Sequence, residues 1–419
     1  MSGFARFWAG QTISAFGDRI TELALPLIAV TLLAATPAEV GLLTAAVWAP
    51  NLLSLLVGSW VDGQAHRKRL LVAADLLRAA VLLSLPAAYW FGVVTLTQLF
   101  VVAVLAGVGQ VLFSSAYPSF FVSLVDRDRY VSANSKLSTS RSASTIAGPA
   151  LGGFLIQILT APVAMLIDAL SFLASALLIA RIKVAPAVPA TEFAPRAGLS
   201  YVLRHRYLRP ALGCVTTINF FGFVGQALIV LFASRTLGLP AGLIGLAFGL
   251  GAVGGLIGAV AAPKLSSRYG VGRVILAGAV LFPAPTAAIA MAGGSRPVTF
   301  AVLLGAEAVS GFGVMLFDVN LNSVMAAVTT DAMRSRVAGV FGTINYGARP
   351  LGAVIGGGLG TWIGVRPTLL VAAAGGVLAA LWLWPSPIPG MRSLADQVSV
   401  EDGTTTEVGD RAGDRARSV

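Results

Sequence analysis

The segment QTISAFGDRITELALPLIAV, residues 11–30, carries Asp18, Arg19 and Glu22 inside an otherwise apolar run. On a helix, Asp18 and Glu22 stand one turn apart and about 40° apart around the axis, so they share a face. A carboxyl group taken out of water holds its proton more readily, and a second acid beside it strengthens that tendency. Two acids so placed form a site that exchanges a proton, for which a positively charged molecule can compete. The alternative is structural: Arg19 pairs with Glu22 at i+3, a base on another helix neutralises Asp18, and the acids only hold helices together.

The elements that must position these groups follow from composition. The chain has 419 residues, is 56% hydrophobic and only 11% charged, too little charge to cover the surface of a soluble protein of this length. Apolar stretches long enough to cross a bilayer as helices recur from end to end, at about 8–33, 39–61, 70–91, 96–124, 132–158, 162–182, 211–234, 241–262, 272–292, 297–327, 336–361 and 367–385. These runs are apolar on every side and rich in Leu, Ala and Gly, which excludes the alternation of barrel strands. The fold class expected is an all-α membrane protein with twelve transmembrane helices in two pseudo-symmetric six-helix bundles. The first span is too long for the core of a signal peptide and is read as retained. If it starts near Phe7, Asp18 lies about 17 Å deep, near mid-membrane. Ionisable groups at that depth are functional by default, so the working reading of the pair is preferred.

A net charge of +11 raises the question of nucleic acid, which the distribution of the 29 Lys and Arg answers. With the N-terminus inside, most fall on inner loops or inner ends of spans, Arg67, Lys68, Arg69, Arg127, Arg129, Lys264 and Arg268 among them. Arg235, Arg296 and Arg366 are the exceptions at outer loops, and Arg19, Arg78, Arg141 and Arg349 lie deeper within spans. This is the positive-inside pattern: a multi-pass cell-membrane protein with both termini cytoplasmic and no nucleic-acid partner. The lone Cys214 excludes an internal disulfide, and with His66 and His205 in polar loops no metal cluster is expected. The absence of a Gly-x4-Gly-Lys-Ser/Thr loop argues against ATP as a direct driver, and no cofactor or enzymatic activity is expected.

A Pro/Ala-rich then basic stretch at 183–210 reads as a cytoplasmic linker with a short surface helix, dividing an N-terminal bundle (1–182) from a C-terminal one (211–385). Residues 386–419 are polar and aromatic-free and read as a disordered cytoplasmic tail. The halves echo each other: GVGQVLF at 107–113 recurs as GFGVMLF at 311–317, and VGL at 40–42 as IGL at 244–246, each 204 residues on. That constant offset implies duplication of a six-helix unit, with a cavity between the copies that opens to either side.

The loop GSWVDGQAHRKRLL, residues 58–71, with Gly58, Asp62 and Arg67, resembles the loop signature of the major facilitator superfamily. Gly63, Ala65 and His66 depart from that pattern. In span five, AGPALGG (147–153) is similar to the Gly-Pro motif of the superfamily's antiporter branch, with Gly148, Gly152 and Gly153 permitting close helix contact and Pro149 bending the helix. FGD at 16–18, ADLLR at 74–78 and SAN at 132–134 extend the resemblance to drug and siderophore exporters, including macrolide efflux pumps. It implies alternating access, with Gly58 letting helices approach closely and Asp62 forming, with Arg67 and the basic run, a charge cluster that holds one state closed. The arginine that many antiporters carry in span four is missing here.

Asp75 and Arg78 read as an i+3 clamp near the inner end of span three. Asp168 in span six and Glu307 and Asp318 in span ten are further buried acids, Glu307 being the best candidate in the second half. The equivalent part of span seven, NFFGFVGQALIV, has no acid, so chemistry is concentrated in the first half. Phe220, Phe221, Phe223 and Phe317 are candidates for the wall of an apolar cavity. The expectation is a proton antiporter, acting as a monomer in the lipid bilayer, that exports amphipathic small-molecule substrates in exchange for protons. A proton-coupled importer or symporter of a small metabolite and a non-transporting membrane sensor are the alternatives.

Overall fold

The computed structural model describes residues 3–183, 195–330 and 333–393. The chain forms α1 (Gly3–Leu27), α2 (Pro37–Trp48), α3 (Ser54–Asp62), α4 (Arg67–Trp90), α5 (Leu96–Leu124), α6 (Tyr130–Leu159), α7 (Ala161–Ala180), α8 (Pro195–Arg204), α9 (Leu208–Leu231), α10 (Ala241–Tyr269), α11 (Val271–Leu281), α12 (Pro285–Met291), α13 (Arg296–Val328), α14 (Arg334–Trp362) and α15 (Val365–Leu378). A 3-10 turn joins α2 to α3, and Phe282–Ala284 form the turn between α11 and α12. Among the described residues, ten helical segments are long and apolar enough to cross a membrane. The two other long helices, α1 and α14, each carry ionisable residues within their length, Asp18, Arg19 and Glu22 in α1 and Arg349 in α14.

Local chemistry sets where these helices begin. Thr36 and Glu39 close a capping box at α2, with Pro37 in its first turn, and the Thr95 hydroxyl accepts the Gln98 N–H at α5. α8 is the surface helix expected in the linker; it packs on α14. The tail expected to be disordered from Ser386 is ordered as far as Ser393. Ile388 and Met391 are buried, and the Gly272 N–H bonds to the Met391 carbonyl at 3.0 Å, so an apolar anchor holds what polar composition suggested would be free. Residues 394–419 lie outside the described residues.

The 204-residue offset reappears in three dimensions. π-helical turns follow α1 at Ile28–Leu32 and α9 at Phe232–Thr236. Left-handed turns occur at Ala34 (φ 52°) and Gly238 (φ 64°), and again at Thr160 (φ 77°) and Gly364 (φ 93°). α2 meets α14 where a Cβ on Gly41 would fall 2.6 Å from Gly357 Cα. α6 meets α10 at the equivalent pair, where a Cβ on Gly153 would fall 2.9 Å from Gly245 Cα. Neither seam has room for a side chain.

The apolar cores show where the halves join. At the end of the molecule where α1 finishes, one core runs through both halves, from Leu27, Val40, Leu82 and Met165 to Leu228, Phe232, Ile244 and Leu303. At the end where α1 begins there are two separate cores, one around Phe7, Leu71 and Phe120 and the other around Leu208, Ile275 and Phe341. The halves are therefore fused at one end and parted at the other, with a cleft between them. Arg235 reinforces the closed end by donating from the second half to the Val30 and Ala35 carbonyls of the first, at 2.6 and 2.8 Å.

Candidate functional site

Three helices of the first half converge on the charged residues of α1. α1 packs on α6 and α7, and α4 packs on α5 and α7. Glycines make the approach possible: Gly17 leaves its space to the Asp168 carboxylate and Ser171, and a Cβ on Gly148 would fall 2.6 Å from Arg19 Cγ. Gly109 of α5 similarly admits the stem of Arg78, whose Cγ would lie 2.5 Å from a Cβ there.

The two acids of α1 are held by different bases. Arg78 donates to the Asp18 carboxylate, its guanidinium 3.8 Å above the Phe172 ring. Arg19 Nη1 donates to Glu22 Oε2 at 2.8 Å. This is the structural pairing left open by the sequence. The expected clamp between Asp75 and Arg78 is corrected: Arg78 turns to α1, and Asp75, 1% exposed, keeps Oδ2 without a hydrogen bond. The picture of two acids sealed in an apolar wall is corrected as well. The Glu22 side chain is 61% exposed and that of Asp18 34%.

The sealed acids lie one layer deeper. Asp168 is fully buried, accepting from Thr21 and, at 3.0 Å, from Ser171. Asp168, Asp75 and Glu22 all lie within electrostatic range of Asp18 and Arg78. Four acids thus share two guanidinium groups, Arg19 and Arg78. With every group ionised the cluster would carry two uncompensated negative charges.

The second half is built differently. At the repeat positions of Gly17 and Arg19 it has Phe221 and Phe223; Phe221 wedges against Gly375, Phe223 is buried, and Phe317 is buried in the core of that half. Glu307 sits half-buried, its stem against Gly251. Asp318 interacts at longer range with Arg349, a residue singled out only as a deep charge by the sequence. Arg349 Nε donates to Asn219 Oδ1 at 3.1 Å, and three rings surround its guanidinium: Trp48 at 4.5 Å, Tyr346 at 4.8 Å and Phe223 at 5.2 Å. The one clue in the sequence was a base in an apolar helix with no acid at helical spacing.

The loop motif divides. Arg67 reaches back to Asp62, donating to its carbonyl at 3.2 Å with the carboxylate at 3.9 Å. Gly58 has nothing within 4 Å of a Cβ and makes no close helix approach, contrary to expectation. Lys68 caps the end of α7 through the Ile182 carbonyl at 3.0 Å. In span five Gly148, Gly152 and Gly153 each meet another helix closely, and the Pro149 carbonyl faces Gly245. Among the described residues no group of His, Cys, Asp and Glu has the arrangement of a metal site.

A family model described as transmembrane secretion effector matches residues 1–413. The multidrug efflux pump Tap of Mycolicibacterium fortuitum is 28% identical over 338 residues, 76% of this chain and 80% of that protein. Among solved structures, a bacterial homologue of the iron transporter ferroportin in its inward-facing state matches with a TM-score of 0.72 at 19% identity, covering 91% of this chain and 97% of that one. The nucleoside transporter NupG matches with a TM-score of 0.69 at 15% identity, covering 91% and 98%. At these identities the two structures speak for the fold alone.

Proposed function

The chain belongs to the transmembrane secretion effector family of major facilitator transporters, and from that premise we propose that it exports amphipathic small molecules, drug-like or siderophore-like, against inward proton flow. The twelve spans form two six-helix bundles that rock about the cleft, with both termini cytoplasmic, so the parted end faces the cytoplasm and the cleft is loaded from inside. Glu22 and Asp18 meet the substrate, Arg19 and Arg78 set their charge, and Asp168 and Asp75 store protons behind them.

The observation that carries this reading is the excess of acids over bases at the depth of a one-sided cleft. A cationic substrate and protons are interchangeable solutions to the same charge deficit, and competition for it is exchange transport. The similarity to a multidrug efflux pump supports the outward direction. An importer would share the same fold.

The test is efflux of toxic compounds from cells expressing the protein, with and without a protonophore. Asp18→Asn combined with Glu22→Gln is expected to abolish proton-dependent efflux while the protein stays in the membrane. Undiminished efflux by that double variant overturns the assignment.

A further inference from the structure

Of the four arginines placed deep within spans, Arg19, Arg78 and Arg349 stand among the acids and rings described above, and these three are not alike. Arg19 and Arg78 each end on a carboxylate. Arg349 does not: among the described residues its one hydrogen bond is from Nε to Asn219, which orients the guanidinium and leaves both terminal nitrogens unengaged by protein. Asp318 acts on it only from beyond ion-pair distance. The side chain is half-buried and Tyr346 beside it is 36% exposed, so the site opens to the cleft.

The surroundings suit a ligand. Trp48 comes from the first half, Phe223 and Tyr346 from the second, and together they frame the guanidinium with π surface. A fixed, planar, two-pronged donor in such a frame matches a carboxylate or similar planar acidic group. The first half offers the opposite sign, with Glu22 open to the same cleft.

We propose that Arg349 is an anion-binding subsite of the cleft and that the preferred substrates are zwitterionic, with a basic group for the α1 acids and an acidic oxygen group for Arg349. This rests on the transport reading above and sharpens its substrate class. It also gives the bundles a reason to close, because one molecule bridges both halves.

A pair of dyes tests it. Tetramethylrhodamine carries a carboxylate beside its cationic ring system, and its methyl ester is the same cation without that carboxylate. Binding of each to the purified full chain in micelles is followed by fluorescence anisotropy. The wild type is expected to bind the acid about tenfold more tightly than the ester, equivalent to about 1.4 kcal/mol. Arg349→Gln should remove that ratio while leaving ester affinity within about twofold. Arg349→Lys keeps the charge without the fork and should give an intermediate ratio at an unchanged melting temperature, which separates the effect from misfolding. A purely structural clamp on Trp48 would leave the ratio intact. Equal binding of the two dyes by the wild type, binding of neither, or an unchanged ratio in Arg349→Gln overturns the proposal. Glu22→Gln should weaken both dyes together; if it weakens neither while Arg349→Gln still erases the ratio, the cation site of the transport reading fails and the anion subsite stands.

Discussion

Arg78 of α4 reaches across to the carboxylate of Asp18 on α1 and bypasses Asp75, three residues away on its own helix. One guanidinium is thereby committed to the helix that lines the cleft, and a buried acid is left with an unfilled oxygen. Removing the base strands several acids at once. Arg78→Gln should lower stability by about 2 to 3 kcal/mol, and Asp18→Asn in the same chain should restore part of the loss. Thermal unfolding of the four-member cycle checks this, and a coupling energy near zero would remove the pair from the argument.

Asp168 tests the inner layer by itself. Thr21 and Ser171 both donate to it, so an amide keeps most of the packing but only one acceptor oxygen. Asp168→Asn is expected to insert and fold, to bind substrate within a few-fold of the parent, and to lose substrate-induced proton release. Proton release in lightly buffered micelles is the measurement, and normal release from this variant assigns proton storage elsewhere.

The seam between α2 and α14 admits no side chain at Gly41, where a Cβ would fall 2.5 Å from the Ala353 carbonyl oxygen. Gly41→Ala should cost the closed arrangement about 1 to 3 kcal/mol by overpacking. The same effect is expected from Gly245→Ala at the matching seam. A cysteine at Ala38 would then label with a membrane-impermeant maleimide at least about tenfold faster than in the parent. Unaltered labelling would show that the seam yields without opening.

Arg235 ties the same end by hydrogen bonds to two carbonyls of the opposite half. Arg235→Ala should also raise labelling at position 38. Arg366→Ala serves as the comparison, because Arg366 donates within its own half to the Ala292 carbonyl and should leave labelling unchanged. Equal effects of the two variants would refute the latch.

Thr160 occupies a backbone conformation (φ 77°, ψ 156°) that its repeat partner Gly364 adopts freely. A β-branched residue there is strained by about 1 kcal/mol or more. Thr160→Gly should therefore raise the melting temperature, an unusual direction for glycine in a loop, and a lower melting temperature would argue against strain.

Much of this was legible in the chain, and its limits have physical causes. The 204-residue offset found in GVGQVLF and GFGVMLF governs the turns, the π-helical segments and both glycine seams, because a duplicated unit repeats its backbone geometry even where side chains diverge. Asp18, Arg19 and Glu22 stood out because charge is costly in an apolar helix. The partner of Asp18 was not. Spacing on one helix favours Asp75 with Arg78, whereas the actual pairing spans 60 residues and depends on the gap at Gly109. Of the rings around Arg349, Tyr346 stands three residues before it on α14, but Trp48 and Phe223 come from α2 and α9, which no local pattern connects. Gly58 shows the reverse error, since a motif residue carries no guarantee of the contact it makes elsewhere.

The distribution of apolar contact also bears on the rocking proposed above. A joint of Leu, Ile and Phe spans both halves at one end, while at the other the first half of α6 presents Ser, Thr and Asn. Swinging to the opposite posture trades a greasy weld for a polar rim, so an empty molecule should idle in the posture described here. On the exchange reading proposed above, cargo and ions would supply the missing adhesion, and unloaded cycling, hence leak, should be rare.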